Sequence, residues 1–359
     1  MSALRAGFLG GGFMATVHTR AARAAGAELT ALASSSAERA AAAAAALGVE
    51  RGAADIADAI AASDVVHVCT PNADHAAHAH AAIAVGKHVV CEKPLATSVA
   101  DARSLVEALD AAGLVGAVPF VYRFHPMVRE ARALVASGEL GVILSVDAAY
   151  LQDWMLLETD GNWRATGDAG GASRAFADIG SHLCDLLEFV TGDRIVRLSA
   201  RTRTVYAERD GKRVANEDIA ALLVELGNGA LGTLLVSQMA AGRKNGLVFE
   251  LHGSTHAARF EQERPEELWI GGRDTSQLRL RDAGALSPDA ARLSIVPPGH
   301  PMGYQDAFNA FVRDAYAAVR GETPDGLPTF RDGLRAGIVT EAVLRSAADG
   351  GAWTDVPTP

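Results

Sequence analysis

Over the first 120 residues, short apolar runs alternate with longer stretches whose apolar positions recur at helical spacing. The pattern predicts strands at residues 6–10, 28–34, 65–70 and 88–91, the first entered directly from Arg5. It predicts helices at residues 17–25, 37–47, 76–85 and 99–112. The unbroken alanine run from Ala40 to Ala46 falls inside one of these helices. Alanine is the best helix former, so the run reads as scaffold rather than low complexity. Strands alternating with helices imply βαβ units and a parallel sheet.

Beyond about residue 122 the rhythm changes. Residues 142–152, 195–206, 218–226, 231–239, 247–252, 258–262 and 268–270 read as strands with little helix between them. Asn228-Gly229 separates two of these runs and is a hairpin signal. Helices at residues 177–190, 304–320 and 331–348 are expected to cover one face of this sheet. Residues 283–301, with four prolines, read as an ordered loop, and there is no internal repeat. The expected fold class is α/β: an N-terminal parallel sheet of the Rossmann type over residues 1–121, then an α/β domain over 122–359. The second domain carries a large, mostly antiparallel open sheet.

The 359-residue length suits two domains, and the 49% hydrophobic content supplies two cores. A net charge of −10 argues against a nucleic-acid or anionic-membrane surface. No stretch is apolar for long enough to span a bilayer, and the start lacks the pattern of a signal peptide. Cys69, Cys91 and Cys184 are odd in number and widely spaced, which suits a reduced, cytoplasmic protein rather than a disulfide framework.

The glycine-rich turn Gly10-Gly11-Gly12-Phe13-Met14-Ala15 fits G-x-G-x-x-A, after a predicted strand and before a helix. Gly10 allows the tight turn, Gly12 lets the backbone approach a pyrophosphate, and Ala15 allows close helix–strand packing. The helix N-terminus then faces the phosphates. At the end of the second strand an acid would bind the ribose 2′-hydroxyl of NAD. This chain has Ser34-Ser35-Ser36 there, with Arg39 following Glu38. Hydroxyls with an arginine suit a 2′-phosphate, so NADP is expected ahead of NAD.

Glu92-Lys93-Pro94 closes the fourth apolar strand. Parallel α/β sheets bind ligands at the carboxyl ends of their strands, so Lys93 is expected to face a bound cofactor and substrate. Farther on, Asp178, His182 and Asp185 are spaced to share one helix face. Oxidising an alcohol requires a base for the hydroxyl proton, and histidine is suited to that work. A carboxylate such as Asp178 orients the histidine, and a lysine such as Lys93 polarises the oxygen. Taken alone, each of these is also an ordinary polar surface.

His75, His78 and His80 do not share one helix face and lack the HExxH pattern, so no metal is expected. His75 follows Thr70-Pro71-Asn72 and is expected near the cofactor instead. Gln152-Asp153-Trp154 and Asn162-Trp163-Arg164 combine tryptophan with polar neighbours, as a sugar site does, although both tryptophans read equally well as core.

As a set these motifs resemble the Gfo/Idh/MocA family of NAD(P)-dependent oxidoreductases. The resemblance runs from Gly7–His18 through Thr70-Pro71-Asn72 with His75, Glu92-Lys93-Pro94, and Tyr122-Arg123-Phe124-His125-Pro126. It continues to Asp178–His182 with Asp185, and to Gly303-Tyr304. It implies a Rossmann domain, then an α/β domain whose open sheet forms a homodimer or homotetramer contact. It implies catalysis by Lys93, Asp178 and His182, with His182 as acid/base, and a cis peptide at Lys93–Pro94. On the cofactor side it implies Gly10, Gly12, Phe13, Met14, Ser34, Ser35, Arg39, Thr70, Pro71, Asn72, His75, Glu92, Trp163, Arg164 and Tyr304. The substrate-side residues are Lys93, Arg123, Asp153, Trp163, Arg164, Asp178 and His182. Many members carry Asn ahead of the arginine at Arg123; Val121-Tyr122 here leaves a side-chain contact to the nicotinamide ribose open. The expected substrate is a sugar, sugar derivative or cyclitol, oxidised or reduced at a ring position. The alternatives are a trans-dihydrodiol or biliverdin-type reductase, and a cofactor-binding sensor without turnover.

Overall fold

The computed structural model describes residues 3–162, 165 and 171–359. The chain forms two compact units: Met1–Val121 with Tyr304–Gly337, and Tyr122–Gly303 with Ile338–Pro359. The sequence reading placed residues 304–337 in the second domain, whereas here they pack with the first. The cause is visible in side chains. Tyr316 meets His67, and Gln305 donates to the Val17 carbonyl at 3.2 Å. Neither partner is local in sequence.

In the first unit, strands β1 (Arg5–Leu9), β2 (Glu28–Ala33), β3 (Arg51–Gly52), β4 (Val65–Val68), β5 (His88–Cys91) and β6 (Gly116–Ala117) form one sheet. Its order is β3-β2-β1-β4-β5-β6, and every pairing is parallel. That order reverses direction between β1 and β4, the switch point where such sheets bind dinucleotides. The helices between strands are α1 (Phe13–Ala24), α2 (Ala37–Leu47), α3 (Ile56–Ala61), α4 (His75–Ala84) and α5 (Val99–Ala112). Helix α1 starts four residues earlier than the apolar spacing predicts, because Phe13 is exposed and carries no periodic signal. Ser36, Asp55 and Ser98 each cap a helix, accepting from the N–H of Arg39, Asp58 and Asp101.

In the second unit, α6 (Pro126–Ala136) leads into β7 (Ile143–Leu151). A π-helical turn at Phe176–Gly180 runs into α7 (Ser181–Thr191). Then come β8 (Ile195–Arg203), the small ribbon β9–β10 (Glu208–Arg209, Lys212–Arg213), β11 (Ile219–Leu226) and β12 (Leu231–Ser237). Strands β13 (Gly246–Gly253), β14 (His256–Glu261), β15 (Glu267–Gly272) and β16 (Ser276–Leu280) complete the main run, and β17 (Thr354–Asp355) joins the far edge. The nine-stranded order is β16-β15-β14-β13-β7-β12-β11-β8-β17. It is antiparallel except where β12 lies parallel to β7. Along β11, and along β12 as far as Val236, burial alternates, with Leu222, Val224, Leu234 and Val236 inside and Leu223 and Leu235 outside.

Residues 283–301, expected to be loop throughout, contain a short helix, α8 (Pro288–Leu293). The loop after it is held by Arg281, whose buried guanidinium donates to the Val296, Pro297 and His300 carbonyls and to Glu266. The last helices are α9 (Tyr304–Val319) and α10 (Phe330–Ala348). The three cysteines are free thiols. No described helix is long and apolar enough to cross a membrane.

Candidate active site

The glycine-rich turn sits at the carboxyl end of β1. The Gly10 N–H donates to the Ala33 carbonyl at 2.9 Å, and Cys69 N–H donates to Leu9 at 2.8 Å, so the turn lies between the ends of β2 and β4. Gly10 has φ +101, and a Cβ there would lie 2.6 Å from the Cys69 carbonyl oxygen. Only glycine tolerates both conditions. Helix α1 then starts with Gly12 as N-cap and no side-chain cap, and a Cβ on Gly12 would meet nothing within 4 Å. Uncapped first-turn N–H groups facing open space attract anions. The residues present therefore fit a dinucleotide pyrophosphate, with Phe13, 75% exposed, and Met14 beginning the helix beside it.

At the end of β2, Ser34 follows without a carboxylate. A Cβ on Gly11 would lie 3.7 Å from the Ser34 hydroxyl, which places that serine beside the glycine turn. Arg39 donates to the Ser35 hydroxyl at 3.0 Å. Glu38 lies in the first turn of α2.

Past β4, Thr70, Pro71 and Asn72 turn the chain into α4, whose first residue is His75. The buried His75 ring contacts two carbonyl oxygens, Pro94 at 2.7 Å through Nδ1 and Thr70 at 2.9 Å through Nε2. A neutral imidazole donates to one of them. Burial lowers its proton affinity, against the opposing pull of both carbonyls and Glu92. His78 is spent on the Thr70 hydroxyl and His80 on Ser104, so the three histidines do not converge. Among the described residues no group of three or more His, Cys, Asp or Glu is placed to hold a metal.

Past β5, Glu92 is buried and accepts from the Lys93 peptide N–H at 3.1 Å. Its other oxygen meets His18 Nε2 at 3.0 Å. Burial alone would raise this carboxyl; the His18 hydrogen bond and charge, with Lys93 and His75, outweigh it and hold the group below its ordinary range. Lys93 is half-buried, and the Lys93–Pro94 peptide is cis, as the resemblance implies. Tyr304 begins α9, its ring 5.9 Å from Phe308.

In the second unit, Asp178 lies in the π-helical turn and accepts from Gln238 Nε2 at 2.8 Å. Regular helical spacing placed Asp178, His182 and Asp185 on one face. The π turn interrupts that spacing, and such turns recur at functional sites. His182 follows in α7, 8% exposed, with the Tyr122 ring edge-on at 5.1 Å. Asp185 accepts from Nε and Nη2 of the Arg123 guanidinium, which also lies over the Phe189 ring. Asp153 accepts from Lys244 Nζ at 2.6 Å and Gly242 N–H at 3.0 Å; the Lys244 bond first, and the Gly242 bond with it, hold its carboxyl below the usual range. Trp154 donates to Gln152 at 2.8 Å and packs on Met155, Ala165 and Val214, which favours the core reading for that tryptophan. Trp163 and Arg164 lie outside the described residues.

The sequence reading missed a polar network beside His182. The Tyr122 and Tyr150 hydroxyls meet at 2.5 Å, and Tyr150 donates to Asn245 Oδ1 at 2.6 Å. Gln152 Nε2 reaches the same oxygen at 3.1 Å. Asn245 lies about 95 residues from Tyr150 in a loop without a motif, so no local signal marks it.

Comparisons with known proteins agree with this architecture. Residues 4–120 match the model of an oxidoreductase family with an NAD-binding Rossmann fold, and residues 128–259 match the GFO/IDH/MocA C-terminal domain. The chain is 30% identical to a levoglucosan dehydrogenase of Pseudarthrobacter phenanthrenivorans, over 99% of both chains. It superposes on an oxidoreductase domain protein from Kribbella flavida with a TM-score of 0.91 and 35% identity, over 99% of this chain and 100% of that one. A levoglucosan dehydrogenase structure holding NADH and levoglucosan gives a TM-score of 0.92 at 30% identity, covering all of both chains. Parallel-sheet order, glycine turn, C-terminal sheet and full-length similarity converge: this chain belongs to the GFO/IDH/MocA family of oxidoreductases.

Proposed function

We propose that the protein transfers a hydride between a nicotinamide and a ring position of a sugar, sugar derivative or cyclitol, with NADP favoured over NAD. One observation carries the reading most: Lys93 stands at the carboxyl end of a Rossmann strand with the backbone on either side of it held by buried side chains, Glu92 and His75. A lysine anchored that firmly is built to present its ammonium group in one direction. The nicotinamide, when bound, supplies the place where a hydride is accepted or given up. In oxidation, the C–H bond breaks with its electron pair leaving as hydride, and the O–H proton goes to His182 Nδ1 or Nε2. Lys93 hydrogen-bonds the reacting oxygen and eases loss of that proton. Asp178 supports the histidine as it becomes charged. Arg123 pairs with Asp185 and holds α7 on the substrate side of this scheme. The cluster of Tyr122, Tyr150, Gln152 and Asn245 offers donors and acceptors suited to hydroxyls.

The similarity to levoglucosan dehydrogenase supports a sugar-like substrate. A panel of levoglucosan, other anhydrosugars, aldoses and myo-inositol, followed at the nicotinamide absorbance with NADP and NAD, tests the class. Turnover of at least one polyol is expected. Activity confined to aromatic dihydrodiols or tetrapyrroles would sink the proposal. Three free cysteines suit a reducing cytoplasm.

The same reading includes a homodimer or homotetramer formed through the second unit's sheet. Its outer face exposes Leu223 at 51%, Leu231 at 57% and Leu235 at 42% on neighbouring strands β11 and β12. Exposed leucines grouped on one face of neighbouring strands support an association surface there. The pair Leu223→Asp and Leu235→Asp should convert the native oligomer to monomer in light scattering. A native protein already monomeric at micromolar concentration contradicts the expectation.

A further inference from the structure

Four buried side chains, of which the chemistry above uses only Glu92, join into one chain inside the first unit. The Tyr316 hydroxyl meets His67 Nε2 at 2.7 Å, His67 Nδ1 meets His18 Nδ1 at 2.8 Å, and His18 Nε2 meets Glu92 at 3.0 Å. They come from α9, β4, α1 and the residue just past β5. His18 and His67 are fully buried, with Phe308 and Phe8 against their rings at 4.7 and 5.0 Å.

The contacts dictate where the protons sit. Two ring nitrogens facing each other at 2.8 Å share one proton, since two lone pairs or two N–H groups would repel. His18 Nε2 faces a carboxylate and so carries a proton. With both rings neutral, one arrangement satisfies every contact. Tyr316 donates to His67 Nε2, His67 Nδ1–H donates to His18, and His18 Nε2–H donates to Glu92. Every donor then points toward Glu92. Burial keeps His67 neutral by lowering its proton affinity well below the ordinary value.

Glu92 ends the chain and touches the site. Its second oxygen takes the peptide N–H of Lys93, while His75 contacts the carbonyl of Pro94 on the other side. We infer that Tyr316, His67, His18 and Glu92 are positioning residues: a one-directional hydrogen-bond chain that fixes the Lys93 backbone at the end of β5. This rests on the role proposed for Lys93 above. An apolar core would fill the same space, but it would not hold an ionised Glu92 in one orientation. A buried network with every member paired is rigid, and loss of one member leaves its neighbour unsatisfied.

The test compares His18→Leu, His18→Gln and Tyr316→Phe. Glutamine keeps an N–H donor near the place of ring Nε2; leucine keeps the apolar packing and removes the donor. Amide hydrogen exchange at Lys93, read by mass spectrometry with electron-transfer fragmentation, should accelerate about tenfold or more in His18→Leu. It should return close to native in His18→Gln. With the sugar found in the panel, kcat should fall about 10- to 100-fold in His18→Leu, the scale of a small misplacement, while the Kd for NADP changes little. The glutamine variant should recover most of that loss. A packing role predicts the reverse order, glutamine worse than leucine, with kcat following Tm, and that result overturns the inference. If His18→Leu does not fold, Tyr316→Phe decides, because it removes one hydroxyl and keeps the ring. Unchanged exchange at Lys93 and unchanged kcat in that variant would also overturn it. Native turnover in Lys93→Ala would instead remove the proposed chemistry, and the exchange measurement would still judge the chain.

Discussion

Lys93→Ala should lose nearly all turnover while the protein still folds and binds NADP. The argument combines position with charge. Lys93 lies beyond β5, next to the switch point of the sheet, and its side chain is half-buried. An ammonium group there stabilises negative charge developing on the reacting oxygen. Removing one such donor typically costs about 10²–10³ in rate. His182→Ala should lose about 10²–10⁴, the usual range for removing a general acid or base. The Lys93 loss should be at least as severe, because the lysine both orients the oxygen and makes its proton easier to remove. In oxidation, the rate should rise with pH as one group deprotonates, and the His182 variant should lose that rise. Cofactor Kd is the control, since neither residue belongs to the glycine turn or to the end of β2. Near-native turnover by His182→Ala on the panel's best substrate would make the π turn and α7 purely structural.

The parts legible in the sequence were those with short-range signals. The glycine turn, the β5 tripeptide and the alternating strands of the second sheet each rest on neighbours within a few residues, and each lies where its pattern predicts. Three features depended on partners far along the chain. Residues 304–337 join the first unit through Tyr316 and His67, 249 residues apart. Asn245 reaches Tyr150 across a loop with no motif. The π turn at Asp178 starts where Ser173, Arg174 and Phe176 all donate to Glu217, which lies 41 to 44 residues farther along the chain. Asp185 pairs with Arg123, 62 residues away, which residue spacing on one helix does not reveal.

Cofactor choice should follow the end of β2, and NADP should bind more tightly than NAD. In an NAD enzyme of this fold a carboxylate at this place takes the ribose 2′-hydroxyl and repels a 2′-phosphate. Here Ser34 stands beside Gly11, and Arg39 is tied to Ser35 at 3.0 Å at the start of α2. Ser36 caps that helix, so Ser34 and Ser35 remain to meet a phosphate together with Arg39. A hydrogen bond to a charged group contributes about 1.5–3 kcal/mol, so Arg39→Ala should weaken NADP about ten- to hundredfold. NAD binding should hardly change, because NAD presents no phosphate to the arginine. Ser34→Asp should reverse the preference by placing a carboxylate against the 2′-phosphate. The levoglucosan dehydrogenase complex holds NADH, so overall similarity points the other way, and these residues of this chain have to carry the difference. Calorimetry on the native protein with both dinucleotides decides it. Clearly tighter NAD binding, or an Arg39→Ala variant that loses both cofactors equally, would show that the serines and Arg39 form an ordinary polar turn.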